Sequence, residues 1–190
     1  LVGEPLAEQA NYLPSADLRQ RLTAVMPDVT ARGKGVLAPR ERKVFRPAPP
    51  VTFDVALLAF HGTTGEDGQI QGLFETAGVP YTGMRTLASA VLMDKAITKR
   101  MLNGLGIAML PQVVIPKPRQ GLIVERATLE ALVRDAAFPA VVKPNHLGSS
   151  IGVAKVTSVA EIAAVLAQNF RLDTSDVLEA FVPNLVEYNI

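Results

Sequence analysis

Two short stretches hold most of the residues able to do chemistry. The first, HGTTGEDG at residues 61–68, packs His61, Glu66 and Asp67 among Gly62, Gly65 and Gly68. A histidine near carboxylates can bind a polar ligand, and the glycines permit the positive φ angles of a tight turn. The second, VVKPNHLGSSIGV at 141–153, sets Lys143 at the end of an apolar run and follows it with a glycine and serine loop. Gly148, Ser149 and Ser150 offer N–H and hydroxyl donors that suit folding over phosphate oxygens, with Lys143 as a fixed positive charge. The letters GSSIG also match the G-x-S-x-G of serine hydrolases, with Ser150 as nucleophile. That motif needs a helix after its turn, whereas the following VAKV alternates like a strand. His146, inside the loop, reads as a solvent-facing variant.

The elements that must position these groups follow from apolar spacing. VTFDVALLAF, residues 51–60, reads as a strand buried on both faces that delivers His61. Asp67 caps a helix whose Ile70, Leu73, Phe74 and Ala77 share one face, with Gly78 as its stop. In such a strand, loop and helix unit, ligands gather beyond the strand's carboxyl end. Asp94 caps a second helix carrying Ile97, Met101 and Leu105 and ending at Gly106, which puts Lys95 in its first turn. IAMLPQVVI is then a strand broken at Pro111, and TLEALVRDAA a helix. FPAVVKP and VAKV are strands flanking the Lys143 loop. Ser158 and Glu161 form a capping box for a helix with Ile162, Val165 and Leu166. DVLEAFV and VEYNI read as paired strands around PNL, and in the first of them an unpaired Glu179 is costly. Upstream, SADLRQRLTAVM places Leu18, Leu22 and Val25 on a helix that Ser15 caps and Pro27 closes.

The order is α/β followed by α+β. Residues 1–50 read as an N-terminal helix and a basic, proline-rich linker, 51–90 as an α/β domain, and 91–190 as an α+β domain, with the boundary near 84–95.

Taken together, HGTTGEDGQIQGLFETAGVPYTG, SAVLMDKAITKRML, FPAVVKPNHLGSSIGV and LEAFV with VEYNI resemble, in order and spacing, the D-alanine–D-alanine ligases of the ATP-grasp superfamily, over residues 51–190. The resemblance implies a pre-ATP-grasp N-terminal layer and part of an ATP-grasp central domain. It implies an ATP-dependent carboxylate–amine ligase that joins two D-alanines, or similar amino acids, through an acyl phosphate, for peptidoglycan precursors. By that similarity Lys95 and Lys143 reach ATP phosphates under the Gly148, Ser149 and Ser150 loop. Glu179 accepts from the adenine amino group, Phe181 and Val182 pair with the base through their backbones, and Glu187 holds the ribose. His61, paired with Glu66, faces the amino-acid substrate, and Ser149 links the phosphate loop to it. The resemblance also implies magnesium, with ligands in a C-terminal part that these residues do not include. They are expected to be a fragment, inactive alone, and the intact protein allows a homodimer. The family's opening strand, glycine turn and ammonium-binding glutamate have no counterpart in LVGEPLAEQANYLPSADL. A non-catalytic ATP-grasp-like nucleotide-binding or structural module is the alternative.

Composition narrows the field further. With 48% hydrophobic residues in 190, a buried core is affordable, and no run approaches the roughly 18 apolar residues of a membrane span. The absence of cysteine removes disulfide scaffolds and thiolate sites and fits the cytoplasm. A net charge of +1 gives no global field for nucleic acid or anionic membrane, and the partners the resemblance implies are small molecules, ATP and amino acids. Residues 31–50 concentrate six basic residues against Glu41 and read as an extended surface linker. Because Ser149 and Ser150 read as phosphate-loop donors, a fluorophosphonate probe is expected to label neither. Stoichiometric labelling of Ser150, seen by peptide mass spectrometry, would restore the hydrolase reading.

Overall fold

The computed structural model describes residues 23–40 and 49–186, which divide into two compact units. The first contains residues 23–40, 49–57 and 74–82. Its core element is a three-stranded antiparallel sheet, β1 (Val25–Pro27), β2 (Gly35–Pro39) and β3 (Val51–Phe53), with β2 in the middle. Gly35 lies opposite Phe53, and a Cβ at Gly35 would sit 2.3 Å from that ring. The missing side chain lets the aromatic ring lie over the central strand. Phe53 in turn meets Phe74 edge-on at 6.3 Å between centroids, and Phe74 meets Tyr81 at 6.1 Å.

Three expectations change in this unit. Val25 is in strand β1, not at the end of a helix, because Val25–Pro27 pairs with Leu37–Pro39. Residues 15–22 of the expected helix lie outside the described residues. The basic stretch is not only a linker, since Gly35–Pro39 is the central strand; Pro39 is tolerated because it stands at the strand's last position. Of VTFDVALLAF only Val51–Phe53 forms a strand, at the sheet edge and largely exposed, followed by a single parallel bridge from Ala56 to Tyr81.

Helix α1 (Gln69–Ala77) begins where Asp67 predicts. The Asp67 Oδ1 accepts the Gln69 N–H at 3.1 Å, and Gly78 ends the helix at φ +68°. The second unit contains residues 58–73 and 83–186. Helix α2 (Thr86–Met93) was not foreseen: TLASAVLM is apolar almost throughout and shows no helical period. Helix α3 (Lys95–Asn103) starts at Asp94, whose Oδ1 takes the Ile97 N–H at 2.8 Å. Its expected apolar face is exposed at Ile97, Met101 and Leu105, and Ala96 is the residue it buries.

The core of this unit is a four-stranded antiparallel sheet in the order β4-β7-β5-β6, from β4 (Gln112–Pro116), β5 (Ala140–Pro144), β6 (Ala154–Val156) and β7 (Ser175–Ala180). β4 starts only after Pro111, which lacks a donor for the ladder. Side chains alternate across the sheet. Ile115, Ala140, Val142, Val156 and Leu178 bury against Leu129 and Val133 of and beside α4 (Arg126–Leu132), and against Ile162, Leu166 and Phe170 of and beside α5 (Val159–Asn169). The capping box at α5 closes one residue early. Ser158 accepts the Glu161 N–H at 3.3 Å, while the Glu161 carboxylate takes the N–H of Thr157 at 2.8 Å. β7 pairs with β4 and β5, and of the expected partner strand VEYNI only Val186 is among the described residues. Residues 187–190, with Glu187, lie outside the described residues. Among the described residues, no helix is long and apolar enough to cross a membrane.

One buried acid sets a stability signature. Asp176 on β7 is fully buried on the helix-covered side. One carboxyl oxygen receives the Asn169 amide at 2.6 Å and the other has no hydrogen-bond partner. Burial pushes its pKa up to about 6, the Asn169 bond opposing. The folded state therefore holds a proton more tightly than the unfolded chain, and Asp176's contribution to stability falls as pH rises from about 4 through about 6. Thermal melts at pH 5 and pH 8 are expected to show Asp176→Asn gaining roughly 1 to 1.5 kcal/mol on the wild type between the two. Identical pH dependence of the two proteins would rule this out.

Candidate functional site

The sheet face opposite the helices carries charge. Lys143 on β5 and Glu179 on β7 lie diagonally across the ladder, since the residue directly opposite Glu179 is Val141. The Lys143 ammonium is 2.6 Å from the Glu179 Oε2, and Lys99 of α3 pairs with the Glu179 Oε1. Glu179 is only 7% exposed. Burial raises its carboxyl, and the hydrogen bonds and charges of Lys143 and Lys99 more than offset this, so it lies below the usual glutamate range.

Helix α3 is docked to the end of β5 by its own first turn. The Asn145 Oδ1 accepts the Ala96 N–H at 2.9 Å and the Asn145 carbonyl accepts that of Lys95 at 3.1 Å, so two orphan helix donors are satisfied from the strand end. The Lys95 ammonium then bonds the carbonyls of Asn145 and Leu147, at 3.3 and 2.5 Å. Burial and the nearby Lys143 charge lower its pKa. His146, between those two carbonyls, is half-buried and not a free surface group. Its Nδ1 is 2.8 Å from Asp173 and its Nε2 3.2 Å from Asp94, while its N–H donates to Asp173 at 2.7 Å. Burial works against both acids, but hydrogen bonds and the histidine's charge hold them below the usual aspartate range. Asp94, His146 and Asp173 line a cleft of about 560 Å³ together with Asp67, Ile97 and Arg171. Lys143, Lys95 and Glu179 are not part of its lining.

The β5–β6 loop is built for close approach. Ser149 and Ser150 are exposed, with φ of +52° and +56°, and the backbone turns on Ile151 N–H to Gly148 carbonyl at 3.1 Å. A Cβ at Gly152 would lie 2.5 Å from the Asn169 Oδ1, so only glycine fits there. Strand β6 follows, not a helix, and a nucleophile elbow is therefore absent. The Phe181 N–H extends the ladder to the Pro139 carbonyl at 3.0 Å, its ring lies under the Lys155 ammonium at 3.9 Å, and Val182 is exposed.

In the 61–68 loop, Glu66 turns to the Gly62 N–H at 2.5 Å instead of to His61, which is exposed. Asp67 caps the loop from inside by taking the Thr64 N–H at 2.8 Å. The structure thus gathers Lys95, Lys143 and Glu179 around β5 and β7. It also adds Lys99, Asn145 and Asp173, which the sequence reading passed over. Lys99 had a signal: it stands one helical turn after Lys95. Asp173, 27 residues from its partner His146, had none.

Residues 7–84 match the family model for the D-ala D-ala ligase N-terminus, and residues 101–190 match that for the D-ala D-ala ligase C-terminus. The chain belongs to the D-alanine–D-alanine ligase family. The D-alanine–D-alanine ligase of Ectopseudomonas mendocina is 43% identical over 129 residues, which cover 68% of this chain and 39% of that protein. The crystal structure of the Helicobacter pylori D-alanine–D-alanine ligase is similar in fold, with a TM-score of 0.71 at 24% identity over 89% of this chain and 47% of that one. The Bacillus anthracis ligase complexed with ATP is 35% identical, with a TM-score of 0.57 over 68% of this chain and 41% of its own. The chain spans less than half the length of these relatives. The expected fold class, an ATP-grasp ligase's mixed α/β architecture, is borne out.

Within this ligase family member, the Asp94–His146–Asp173 bridge ties the α3 start to the loop. His146→Ala is expected to cost about 1 to 2 kcal/mol in urea unfolding, against less than about 0.5 for Lys117→Ala at a site without such a bridge. Equal costs would show that the bridge contributes nothing.

Proposed function

We propose that this chain is the nucleotide-facing portion of an ATP-dependent ligase that joins two D-alanines, or closely similar amino acids, for peptidoglycan precursors in the cytoplasm. The observation that carries the reading is the cluster of Lys95, Lys143 and Glu179 on the side of β5 and β7 opposite α4 and α5, beside the Gly148–Gly152 loop. In the reaction a substrate carboxylate oxygen attacks the γ-phosphorus of ATP, ADP leaves, and an acyl phosphate forms. The amine of the second amino acid then attacks the acyl carbon, sheds a proton, and expels phosphate through a tetrahedral intermediate.

This chain's residues contribute positioning and charge. Lys143 and Lys95 offset the triphosphate charge, and the N–H groups of Gly148, Ser149 and Ser150 close over its oxygens, with Ser149 nearest the amino-acid side. Glu179 accepts from the adenine amino group, the backbones of Phe181 and Val182 edge the base, and Glu187 takes the ribose. His61 meets the amino-acid substrate, and Glu66 braces its loop through Gly62. Among the described residues no group of three acids or histidines could hold a metal ion. A homodimer is compatible with this role.

The reading is tested by titration calorimetry with a non-hydrolysable ATP analogue. Lys143→Ala is expected to weaken binding by about tenfold or more, the loss of one charged hydrogen bond in a closed site. Lys117→Ala is expected to change it by less than about twofold. Equal losses for the two would remove Lys143 from the nucleotide site.

A further inference from the structure

Glu179 is served by two ammoniums, and only one of them has another task. Lys143 stands at the end of β5, next to the loop that closes over phosphate, and its present bond to the Glu179 Oε2 is 2.6 Å. A phosphate that draws Lys143 away would leave a carboxylate that is only 7% exposed without this partner. Lys99 cannot make the same move. Its ammonium is anchored at 3.1 Å to the Leu110 carbonyl while it pairs with the Glu179 Oε1, and its side chain is 16% exposed. Lys95, one turn earlier on α3, is committed to the carbonyls of Asn145 and Leu147. The remaining neighbour across the ladder is Gln112 of β4, which is uncharged and gives its amide to the Ala96 carbonyl at 3.2 Å.

We propose that Lys99 is a positioning residue of the nucleotide site: the standing counter-ion that keeps Glu179 ionised and aimed at the base amino group when Lys143 exchanges Glu179 for a nucleotide phosphate. The proposal rests on the ATP reading above and deepens it. It divides the three lysines by task, with Lys95 tying the loop carbonyls beside the triphosphate, Lys143 shared between acid and phosphate, and Lys99 fixed to the acid. An ionised carboxylate accepts from a purine amino group and repels a carbonyl in the same place. Lys99 therefore acts on base choice without touching the base.

The test compares ATP with inosine triphosphate, which carries a carbonyl where ATP has the amino group, by calorimetry on the protein at its full natural length. Wild type is expected to favour ATP by about tenfold, and Glu179→Gln to lose most of that preference. Lys99→Met is expected to weaken ATP about tenfold and inosine triphosphate less than about twofold. In the Glu179→Gln background the same substitution is expected to change either ligand by less than about twofold. Lys99→Arg, which keeps the charge and guards against a folding failure of the Met variant, is expected to stay within about threefold of wild type. The proposal is overturned if Lys99→Met weakens both nucleotides equally, costs the same with and without Glu179, or is matched by Lys99→Arg. A wild type that binds both nucleotides alike would instead strike down the base-recognition role of Glu179, and the proposal with it.

Discussion

A carboxylate in the middle of a β-sheet is the constraint around which this molecule is arranged. Glu179 stands on β7, a strand that pairs on both sides, so water reaches it poorly and its charge survives only if cations are brought to it. Two are, from different elements: Lys143 along the adjacent strand and Lys99 from α3. The second can be placed only if α3 is held at a fixed height over the sheet. The docking of its first turn on Asn145 and the Lys95 bonds to the loop carbonyls supply that height. One ionic demand thus fixes the position of a helix, and the helix fixes the base of a loop.

The opposite face of the same strand shows what happens when no cation is supplied. Asp176 is two residues from Leu178 on the helix-covered side, bonded through one oxygen to Asn169. Its pKa is pushed up to about 6, whereas Glu179, also buried, is held below its ordinary range. The contrast comes from partners, since an amide donor offsets burial less than two ammoniums do. Asn169 also donates to the Gly152 carbonyl at 2.9 Å, so the neutral side of the sheet is tied to the far end of the same loop. The loop is held at Asn145 by α3 and at Gly152 by α5, with Ser149 and Ser150 exposed between.

What was legible in the sequence was local. Asp67 before α1, Asp94 before α3 and Ser158 before α5 are caps within three residues of the groups they satisfy, and all three bond as spacing suggested. The β5, loop and β6 succession was equally plain, because apolar strands flanked a run of glycine and serine. What failed was long in sequence or uniform in pattern. The central position of β2 depends on Phe53 covering Gly35, eighteen residues away, and proline-rich basic character pointed elsewhere. Helix α2 has no polar face to give a period. His146 looked like a surface residue because both of its acids are distant in the chain.

The lysines show how far spacing alone can go. Lys95 and Lys143 were singled out by the motifs around them, but motifs say where a charge stands and not what holds it. Lys95 spends its ammonium on two carbonyls and Lys143 spends its own on Glu179, so each is already satisfied. A site whose cations already have partners before a polyanion arrives binds it in part by exchange, and the net gain is the difference between the new and old partners. That makes the quality of the replacement partner for Glu179 decisive. On the proposed reading, an ammonium left behind at Lys99 converts a costly separation into a change of partners, and the helix that carries Lys95 one turn earlier places it there at no added cost in chain entropy.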